Sequence, residues 1–563
     1  MRVIDWVVLI ATLALIVAYG IWRTRGIRSV DAYLRGGSDT RWLTIGLSIM
    51  ATQASAVTFL STPGQGFEDG MGFVQFYLGL PIALVILSAT MVPLYKRLKV
   101  YTAYEYLESR FDLKTRQLTA FLFLLQRGLG AGISIYAPAI ILSTVLGWPL
   151  HLTNIAIGAV VIIYTVSGGT RAVNQTQTYQ MAVMLGGMAL AFVFVLSRLP
   201  ANVSFGDALG IAGALGKMKV IDYSTRLDTR YTFWSGMTGG LFLALAYFGT
   251  DQSQVQRYLS GASLTESRLG LLFNALVKVP MQFMILLVGV IVFVFYQFNP
   301  PPVFFNEAEL SRIRNTPLAA ELKEIEAAYG RAFVEKRNVL GEWLSSRGLQ
   351  VSSTTAASRD LRLADAKLRA IRERARDLIA KADPRAETKD ADYVFISFVL
   401  KHFPPGLVGL LVAVVLCAAM SATAAALNAL GTTTVVDFYQ RTFRPGASND
   451  HYLLAAKLFT VFWGVLGVLF AAFASLLDNL IQAINILGSI FYGPMLGVFL
   501  VGFFLKRIGG TPVFWATLLA QLIVVIVFRY STLGFLWYNV IGCAAVVVLS
   551  LGFNLKRATQ AVT

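Results

Sequence analysis

Long apolar runs alternate with short polar connections along most of the chain. A helix needs about 20 mostly apolar residues to cross the hydrocarbon core of a bilayer, and most of these runs approach or exceed that length. We therefore predict an all-α integral membrane protein with about thirteen transmembrane helices. The predicted segments are 3–22, 42–62, 72–95, 118–146, 150–167, 174–197, 232–249, 270–298, 405–438, 451–475, 479–505, 511–529 and 533–555.

The second segment contains polar residues at a depth where a lipid-facing helix would carry aliphatic ones. Between Ala51 and Thr58, hydrogen-bonding side chains come from Thr52, Gln53, Ser55 and Thr58 itself. Polar groups inside a membrane normally face a protein interior or a water-filled path. Small polar residues also allow two helices to pack closely. The run therefore predicts either a polar site or a close helix contact.

The ninth segment contains a second run of small and polar residues, 417–428. Ser421 and Thr423 in this run offer hydroxyl oxygens. Sodium is a hard cation that takes oxygen ligands, and discontinuous membrane helices coordinate ions through freed backbone carbonyls. Ala51 and Ala54, three residues apart on the second segment, could supply such carbonyls. The two segments together favour a cation site.

The seventh segment ends in another small, polar-interrupted run, 246–252. If spans 2–6 and 7–11 form two halves, the second and seventh segments occupy matching positions. Interrupted segments at matching positions indicate the midplane site of a transporter. This halving is an inference from topology and not from a residue-level repeat.

The composition supports a membrane protein and gives little support to an enzyme. Only 14% of the residues are charged, and the mean hydropathy is +0.63, whereas soluble domains average about 25% charged residues. The chain lacks metalloprotease, hydrolase and phosphate-loop motifs. Its three histidines are widely separated, and its two cysteines lie in apolar segments, so we expect neither a disulfide framework nor a cysteine metal site.

The basic residues behind the net charge of +17 cluster in loops on one predicted side of the membrane. The loops at 23–41 and 96–116 are rich in them, and Lys556 and Arg557 follow the last span. The positive-inside rule then places the N-terminus outside and the C-terminus in the cytoplasm. With no targeting segment recognised, we expect a multi-pass protein of a bacterial inner membrane.

Residues 307–392 interrupt the apolar pattern with a charged stretch that is mostly free of Gly and Pro. We predict two helices, 319–346 and 358–382, separated by the polar run 352–355. Apolar spacing supports a helical hairpin with a narrow seam, at Leu361, Leu363, Leu368, Ile371 and Leu378. The hairpin is either a solvated, self-packed unit or a lid or partner-docking element on the outer side. Its nearly balanced charge argues against nucleic acid.

Five stretches follow one another in a familiar order. They are 55–60 (SAVTFL) with 63–64 (PG), 101–111 (YTAYEYLESRF), 164–169 (YTVSGG) with 172–173 (AV), 249–252 (GTDQ) with 255–259 (VQRYL), and 420–428 continuing to Asp437-Phe438-Tyr439. Together they resemble the sodium:solute symporter family, which contains sodium–glucose, proline, sialic acid, iodide and monocarboxylate transporters. The stretch 307–392 lies outside the shared pattern.

The resemblance implies a leucine-transporter-like fold of five-plus-five inverted repeats, with one extra N-terminal helix and two C-terminal ones. Residues 307–392 are then an insertion in an external loop. The chain divides into the N-terminal helix and its loop (1–41), the first repeat and the start of the second (42–306), the hairpin (307–392), the rest of the second repeat (393–505), and two C-terminal helices with a tail (506–563).

The resemblance also implies a sodium site between the first and eighth core helices. Its ligand positions match Ala51, Ala54, Ala418, Ser421 and Ala422. Family members usually carry serine at the last position, where alanine offers no side-chain oxygen. Sodium would be a coupling ion and not a tightly held cofactor.

A second departure from the family pattern lies on the sixth segment. Many members carry aspartate where this chain has Gln177, and some use it for a second sodium together with serines matched here by Ala424 and Ala425. The resemblance therefore implies no second sodium.

For the solute, the resemblance implies a central pocket, whose matching positions are Gln53, Ser55, Thr58, Gln75, Tyr77, Tyr247, Lys278, Gln482 and Asn485. Tyr247 resembles the aromatic that closes the pocket from the cytoplasmic side. A lysine inside a span is costly, so Lys278 either binds the solute or extends to the cytoplasmic interface. We expect Arg127 to pack against a cytoplasmic loop. The SAVT run and residues 135–139 favour a small organic anion.

We therefore predict a sodium-coupled secondary active symporter that imports a small organic solute by alternating access. Its partners would be the solute, sodium and the lipid bilayer, with no nucleic acid. Ala422 and Gln177 keep an uncoupled or proton-coupled transporter open as an alternative. A transporter-like sensor that signals through the hairpin is a third possibility.

Overall fold

The chain is almost entirely helical in the computed structural model, which describes residues 1–24, 33–34, 36–37, 39–346, 351–383, 386, 388–473 and 480–560. Within these residues, β structure is limited to one bridge between Thr40 and Gly261. Nine helical runs of this part of the chain are long and apolar enough to cross a membrane, and two more, Val3–Ile16 and Leu150–Val166, are apolar but shorter. The predicted all-α membrane fold is confirmed.

Twenty-one α-helices are described, with a 3₁₀ turn and two π-helical stretches between them. In chain order they are α1 (Val3–Thr24), α2 (Trp42–Gln53), α3 (Ala56–Asp69), the 3₁₀ stretch Gly70–Tyr77, α4 (Leu80–Ala89), α5 (Met91–Leu98), α6 (Glu105–Arg110), α7 (Leu113–Leu146), α8 (Leu150–Ser197), α9 (Phe205–Ala214), the π stretch Ser235–Gly239, α10 (Gly240–Thr250), α11 (Gln252–Leu259), α12 (Leu264–Phe298), α13 (Glu307–Arg314), α14 (Ala319–Ser346), α15 (Val351–Ala382), α16 (Ala391–His402), α17 (Leu407–Thr433), the π stretch Thr434–Phe443, α18 (Asn449–Ala471), α19 (Leu480–Phe504), α20 (Gly510–Tyr530) and α21 (Leu536–Gln560).

Each of the thirteen predicted segments coincides for most of its described length with helical residues. Residues 474–475 of the tenth segment and 479 of the eleventh lie outside the described residues, as do 25–32. The fifth and sixth segments meet within α8, where Gly169 is the residue with non-helical torsions (φ 55°, ψ −161°). The connection expected between the segments 150–167 and 174–197 is therefore reduced to a sharp kink. A side chain at Gly169 would lie 2.5 Å from the Tyr33 ring, and its positive φ also favours glycine.

Glycines bring α3 into direct backbone contact with α12 and α16. A Cβ atom added to Gly289 of α12 would overlap the carbonyl of Pro63, and one added to Gly64 would overlap the carbonyl of Ala391. Helices in membranes associate through this kind of close approach, because lipid gives no hydrophobic drive for their association. The contact holds α3 in place against α12 and α16.

Replacing Gly289 by alanine is therefore expected to destabilise the membrane domain by about 1–3 kcal/mol, through overpacking between α3 and α12. The thermal unfolding midpoint of the purified protein in detergent measures this. Gly186→Ala is the matched control, because no atom lies within 4 Å of a Cβ built at that membrane-helix position. Equal midpoints for the two variants would contradict the packing described here.

The charged stretch forms α13, α14 and α15. Helix α14 (Ala319–Ser346) agrees with the prediction, but α15 begins at Val351, so the polar run 352–355 lies inside a helix and the predicted separation there is wrong. Serine and threonine are tolerated in the first turn of a helix, where backbone N–H groups have no intrahelical partner. The two alanines that follow have high helix propensity.

The hairpin has a core of its own and also contacts the membrane domain. Lys336 of α14 and Asp365 of α15 form a buried ion pair of 2.7 Å inside it. Arg372 of α15 pairs with Glu68 at the end of α3, at 3.1 Å, and with Asp390 just before α16, at 2.8 Å. The interpretation as a purely self-packed unit therefore describes only part of its contacts.

Candidate functional site

The second predicted segment is broken in the middle of the protein. Helix α2 ends at Gln53, and Ala54 has non-helical torsions (φ −84°, ψ 75°). The Ser55 N–H donates to the Gln53 carbonyl at 3.1 Å, and the Thr58 N–H donates to the Ser55 carbonyl at 2.9 Å. In a regular helix these amides would bond to the carbonyls of Ala51 and Ala54, four residues earlier. Those two carbonyls are thus released for other partners.

Helix α17 meets the break with its run of small residues. The Ser421 hydroxyl donates to the Ala51 carbonyl at 2.8 Å, so oxygens from α2 and α17 touch at the core of the bundle. Ala418 lies one turn earlier in α17, which is unbroken here. The hydroxyl of Thr423 is buried and has no hydrogen-bond partner among the described residues. The structure therefore brings Ala51 and Ser421 together, as predicted.

A cavity lies beside the break, between α3, α7, α10 and α19. Six of the nine predicted solute residues line it: Gln53, Ser55, Thr58, Tyr77, Tyr247 and Asn485. The oxygen Oε1 of Gln53 and the nitrogen Nδ2 of Asn485 are buried without a hydrogen-bond partner among the described residues. These amide groups are free to bind a solute.

Two predicted residues, Gln75 and Gln482, make structural contacts away from the cavity lining. The Gln75 amide donates to the carbonyl of Tyr231 at 3.1 Å and accepts from the N–H of Asp222 at 2.7 Å. The Gln482 amide donates to Oε1 of Gln65 at 3.1 Å and accepts from Arg230. Both glutamines therefore fix the loop after α9 to the helices around the cavity.

Lys278 of α12 is fully buried and is not part of the cavity lining. Its ammonium nitrogen lies 5.6 Å from the centre of the Tyr77 ring. It has no hydrogen-bond partner among the residues that the structure describes. Lys278 thus lies behind a cavity residue and does not extend to the membrane surface.

Arg127 of α7 lines the cavity, which the sequence interpretation missed. Its Nη2 forms an ion pair with Asp251 and a hydrogen bond of 3.1 Å to the Tyr492 hydroxyl. Its guanidinium carbon lies 5.5 Å from the centre of the Tyr247 ring. Its Nε–H is buried and unpartnered within the described part of the chain. The expected packing against a loop is replaced by a pairing with Asp251, at the break that follows the seventh segment.

The helical run that contains α10 and α11 is broken at Asp251. Helix α10 ends at Thr250 and α11 begins at Gln252, with Asp251 extended between them (φ −77°, ψ 115°). Its Oδ1 caps α11 by accepting from the Ser253 N–H at 2.9 Å, and its Oδ2 accepts from the Tyr492 hydroxyl at 2.8 Å. The second segment is therefore interrupted within its predicted bounds, and the seventh is followed by a break within the polar run 246–252, just past its predicted end at 249.

Two interrupted helices, oxygens meeting between α2 and α17, and a polar cavity beside them define an ion-coupled secondary transporter. The chain matches the family model of the sodium:solute symporter family over residues 33–309 and 378–520, and it belongs to that family. The predicted resemblance is confirmed. The unmatched residues between these ranges fall within the hairpin.

Several relatives are known by function. The sodium/sialic acid symporter SiaT of Proteus mirabilis (strain HI4320) is 25% identical over 97% of this chain and 93% of its own length. The human sodium/iodide cotransporter is 32% identical over 49% of this chain and 43% of its own. Mouse sodium-coupled monocarboxylate transporter 1 is 27% identical over 88% of this chain and 68% of its own.

A solved structure shares the fold. The substrate-bound, outward-open structure of a Na⁺-coupled sialic acid symporter superposes with a TM-score of 0.76 and 23% identity, over 99% of this chain and 98% of the other. The relatives of this chain are transporters. The chain is therefore a multi-pass membrane symporter with sodium as coupling ion, and not an enzyme.

Proposed function

We propose that the chain uses inward sodium flow to import a small organic anion whose carboxylate binds Arg127. The main support for this proposal is that Arg127 is the only charged residue among the described residues that line the cavity. Asp251 pairs with Nη2 of the guanidinium, and the buried Nε–H of Arg127 has no partner among the described residues. A guanidinium with unused donors favours a carboxylate over a neutral solute.

Polar groups around Arg127 would hold the rest of the solute. The hydroxyls of Ser55 and Thr58 face the same cavity, as do the amides of Gln53 and Asn485. Tyr247 and Tyr492 form one wall, with ring centres 5.8 Å apart. A solute with one carboxylate and further hydroxyl or carbonyl groups fits this lining. Sialic acid, iodide and monocarboxylates, named for the relatives, are likewise anionic.

The carbonyls of Ala51, Ala54 and Ala418 and the hydroxyl of Ser421 would bind the coupling sodium. The break after α2 and the 2.8 Å contact between Ser421 and Ala51 support this assignment. Ala422 has no side-chain oxygen to offer. Because the oxygens come from two helices, a bound ion would stabilise the arrangement in which α2 and α17 approach each other, as alternating access requires.

The distribution of basic residues supports an N-terminus outside and a C-terminus in the cytoplasm of a bacterial inner membrane. The hairpin, residues 307–392, would then lie outside as an insertion between the two parts of the second repeat. The other division points, at 41/42 and 505/506, fall next to helix boundaries, where α2 begins at Trp42 and α19 ends at Phe504.

Uptake into proteoliposomes tests the proposal. Carboxylates, sugars and amino acids are offered with an inward sodium gradient, and a carboxylate should accumulate only with the gradient. Ser421→Ala should raise the half-maximal sodium concentration by about tenfold, because a buried hydrogen-bonding oxygen contributes about 1–2 kcal/mol.

Thr423→Ala is the matched control in the same helix, since the Thr423 hydroxyl has no partner among the described residues. Uptake that needs no gradient would favour the uncoupled alternative, and uptake driven by a proton gradient would favour proton coupling. Sodium dependence lost equally in Thr423→Ala would show that the ligand assignment in α17 is wrong.

A further inference from the structure

The side-chain amide of Gln177 on α8 is hydrogen-bonded to the oxygens around the proposed sodium site. Its Nε2 lies 3.0 Å from the Ser421 carbonyl oxygen and 3.1 Å from the Ser421 hydroxyl. The same nitrogen lies 3.0 Å from the Thr52 hydroxyl on α2. Gln177 is fully buried, so no water competes for these bonds. One amide group therefore links α2, α8 and α17 where α2 ends.

The orientation of this amide follows from its partners. A backbone carbonyl can only accept, so the group facing the Ser421 carbonyl must be the NH₂ end. The Oε1 end accepts from the Ser48 hydroxyl on α2. Reversing the amide would place two acceptor oxygens against each other. In this structure the Gln177 NH₂ group therefore donates to the Ser421 oxygens, beside the position that a sodium ion would occupy.

The network around Gln177 also carries a positive charge. The Ser48 hydroxyl lies 3.1 Å from Oδ1 of Asn174. Oδ1 of Asn174 also accepts a hydrogen bond from Arg257 at 2.6 Å. Arg257 is fully buried, and its other terminal nitrogen donates to the neutral Gln256 amide at 3.1 Å. A sodium ion entering near this network would be repelled by the positive charge of Arg257. The neutral amide of Gln177 does not offset that repulsion as a carboxylate at this position would.

We infer that the Gln177 amide competes with the coupling ion for the hydroxyl oxygen of Ser421. This inference rests on the sodium site proposed above. Without the ion, the amide satisfies that oxygen and joins the three helices. To bind, sodium must displace the amide nitrogen from Ser421, and the affinity for sodium is lower by the free energy of the hydrogen bonds lost there. Gln177 would thus set the sodium concentration at which transport begins.

Gln177→Met tests this competition, because methionine has a similar length and no donor. Without sodium, the variant leaves the Ser421 carbonyl and the Thr52 hydroxyl buried without that donor, so its thermal midpoint should fall below that of the wild type. At saturating sodium the two midpoints should coincide. The sodium concentration for half-maximal stabilisation should fall by about tenfold, as expected for one lost buried donor. Thermal unfolding in detergent, with choline replaced stepwise by sodium, gives both values.

Gln180→Met is the matched control. Gln180 lies on the same helix and is fully buried, but neither of its amide atoms has a partner among the described residues. Its replacement should leave the response to sodium unchanged. If Gln177→Met does not fold, Gln177→Leu tests the same point, since leucine also lacks a donor and a charge and should likewise lower the sodium concentration for half-maximal stabilisation.

Four results would overturn the inference. Weaker sodium binding in Gln177→Met would mean that the amide is a ligand and not a competitor. An equal loss of stability with and without sodium would mean that it only joins the helices. If sodium raises the thermal midpoints of wild type and variant at the same concentrations, the competition inference is wrong and the proposed sodium site stands. If sodium raises neither midpoint, the proposed sodium site is wrong as well.

Discussion

The Arg127→Met transporter is expected to lose saturable binding and uptake of its anionic solute. Charge-assisted hydrogen bonds to a guanidinium contribute about 1.5–3 kcal/mol, so the affinity should fall by at least about tenfold. The loss should be specific to carboxylates, because the hydroxyl and amide groups of the cavity remain. The stabilisation of the purified protein by carboxylates, measured as a shift in thermal midpoint, reports the affinity directly.

Removing Arg127 also leaves Asp251 buried without its cation, which costs stability by itself. The double variant Arg127→Met/Asp251→Asn removes both charges together. Its thermal midpoint should recover towards that of the wild type, since asparagine can still accept from Tyr492, while carboxylate binding stays lost. Recovery of both properties in the double variant would show that Arg127 only balances Asp251.

Arg372→Met is expected to destabilise the protein by about 3–5 kcal/mol, the typical cost of breaking a buried ion pair from one side. Asp390 is fully buried and Glu68 is partly exposed, and both pair with Arg372. Arg376 reaches Asp390 at 3.1 Å and would retain only part of the interaction. The variant should therefore unfold at a clearly lower temperature in detergent.

Arg374→Met is the matched control, because Arg374 lies on the exposed face of the same helix. Surface substitutions of this kind change stability by about 0.5 kcal/mol or less. If the two variants unfolded at the same temperature, the contact between the hairpin and α3 would contribute nothing. A large difference would mean that the contacts of Arg372 with Glu68 and Asp390 stabilise the protein and that the hairpin is not accessory.

Much of the fold follows from sequence because long apolar segments have few structural alternatives in a bilayer. The break at Ala54 was also predictable, since Thr52, Gln53 and Ser55 are polar at a depth where helices facing lipid are not. The charged hairpin was predictable as well, apart from the start of α15. These features depend on residues that are close together in the chain.

The positions of single side chains around the cavity were less predictable. Gln75 and Tyr77 lie in a 3₁₀ stretch, which turns by about 120° per residue, so they face different surroundings although only two residues separate them. Arg127 pairs with Asp251, which is 124 residues further along the chain. The apolar segment around Arg127 gives no sign of that partner, and only the assembled fold brings the two together.

The bare backbone contacts between α3, α12 and α16 restrict how this transporter can move. Helices whose carbonyls nest against Gly64 and Gly289 cannot slide along each other, because the next residues of each helix would bring side chains into the same space. Any rearrangement must therefore carry these helices as one rigid body. Such a rotation would be taken up at the non-helical backbone of Ala54 and Ser55, where α2 and α3 are not joined by helical hydrogen bonds. The pivot of the transport cycle would then include the carbonyl of Ala54, one of the proposed sodium ligands.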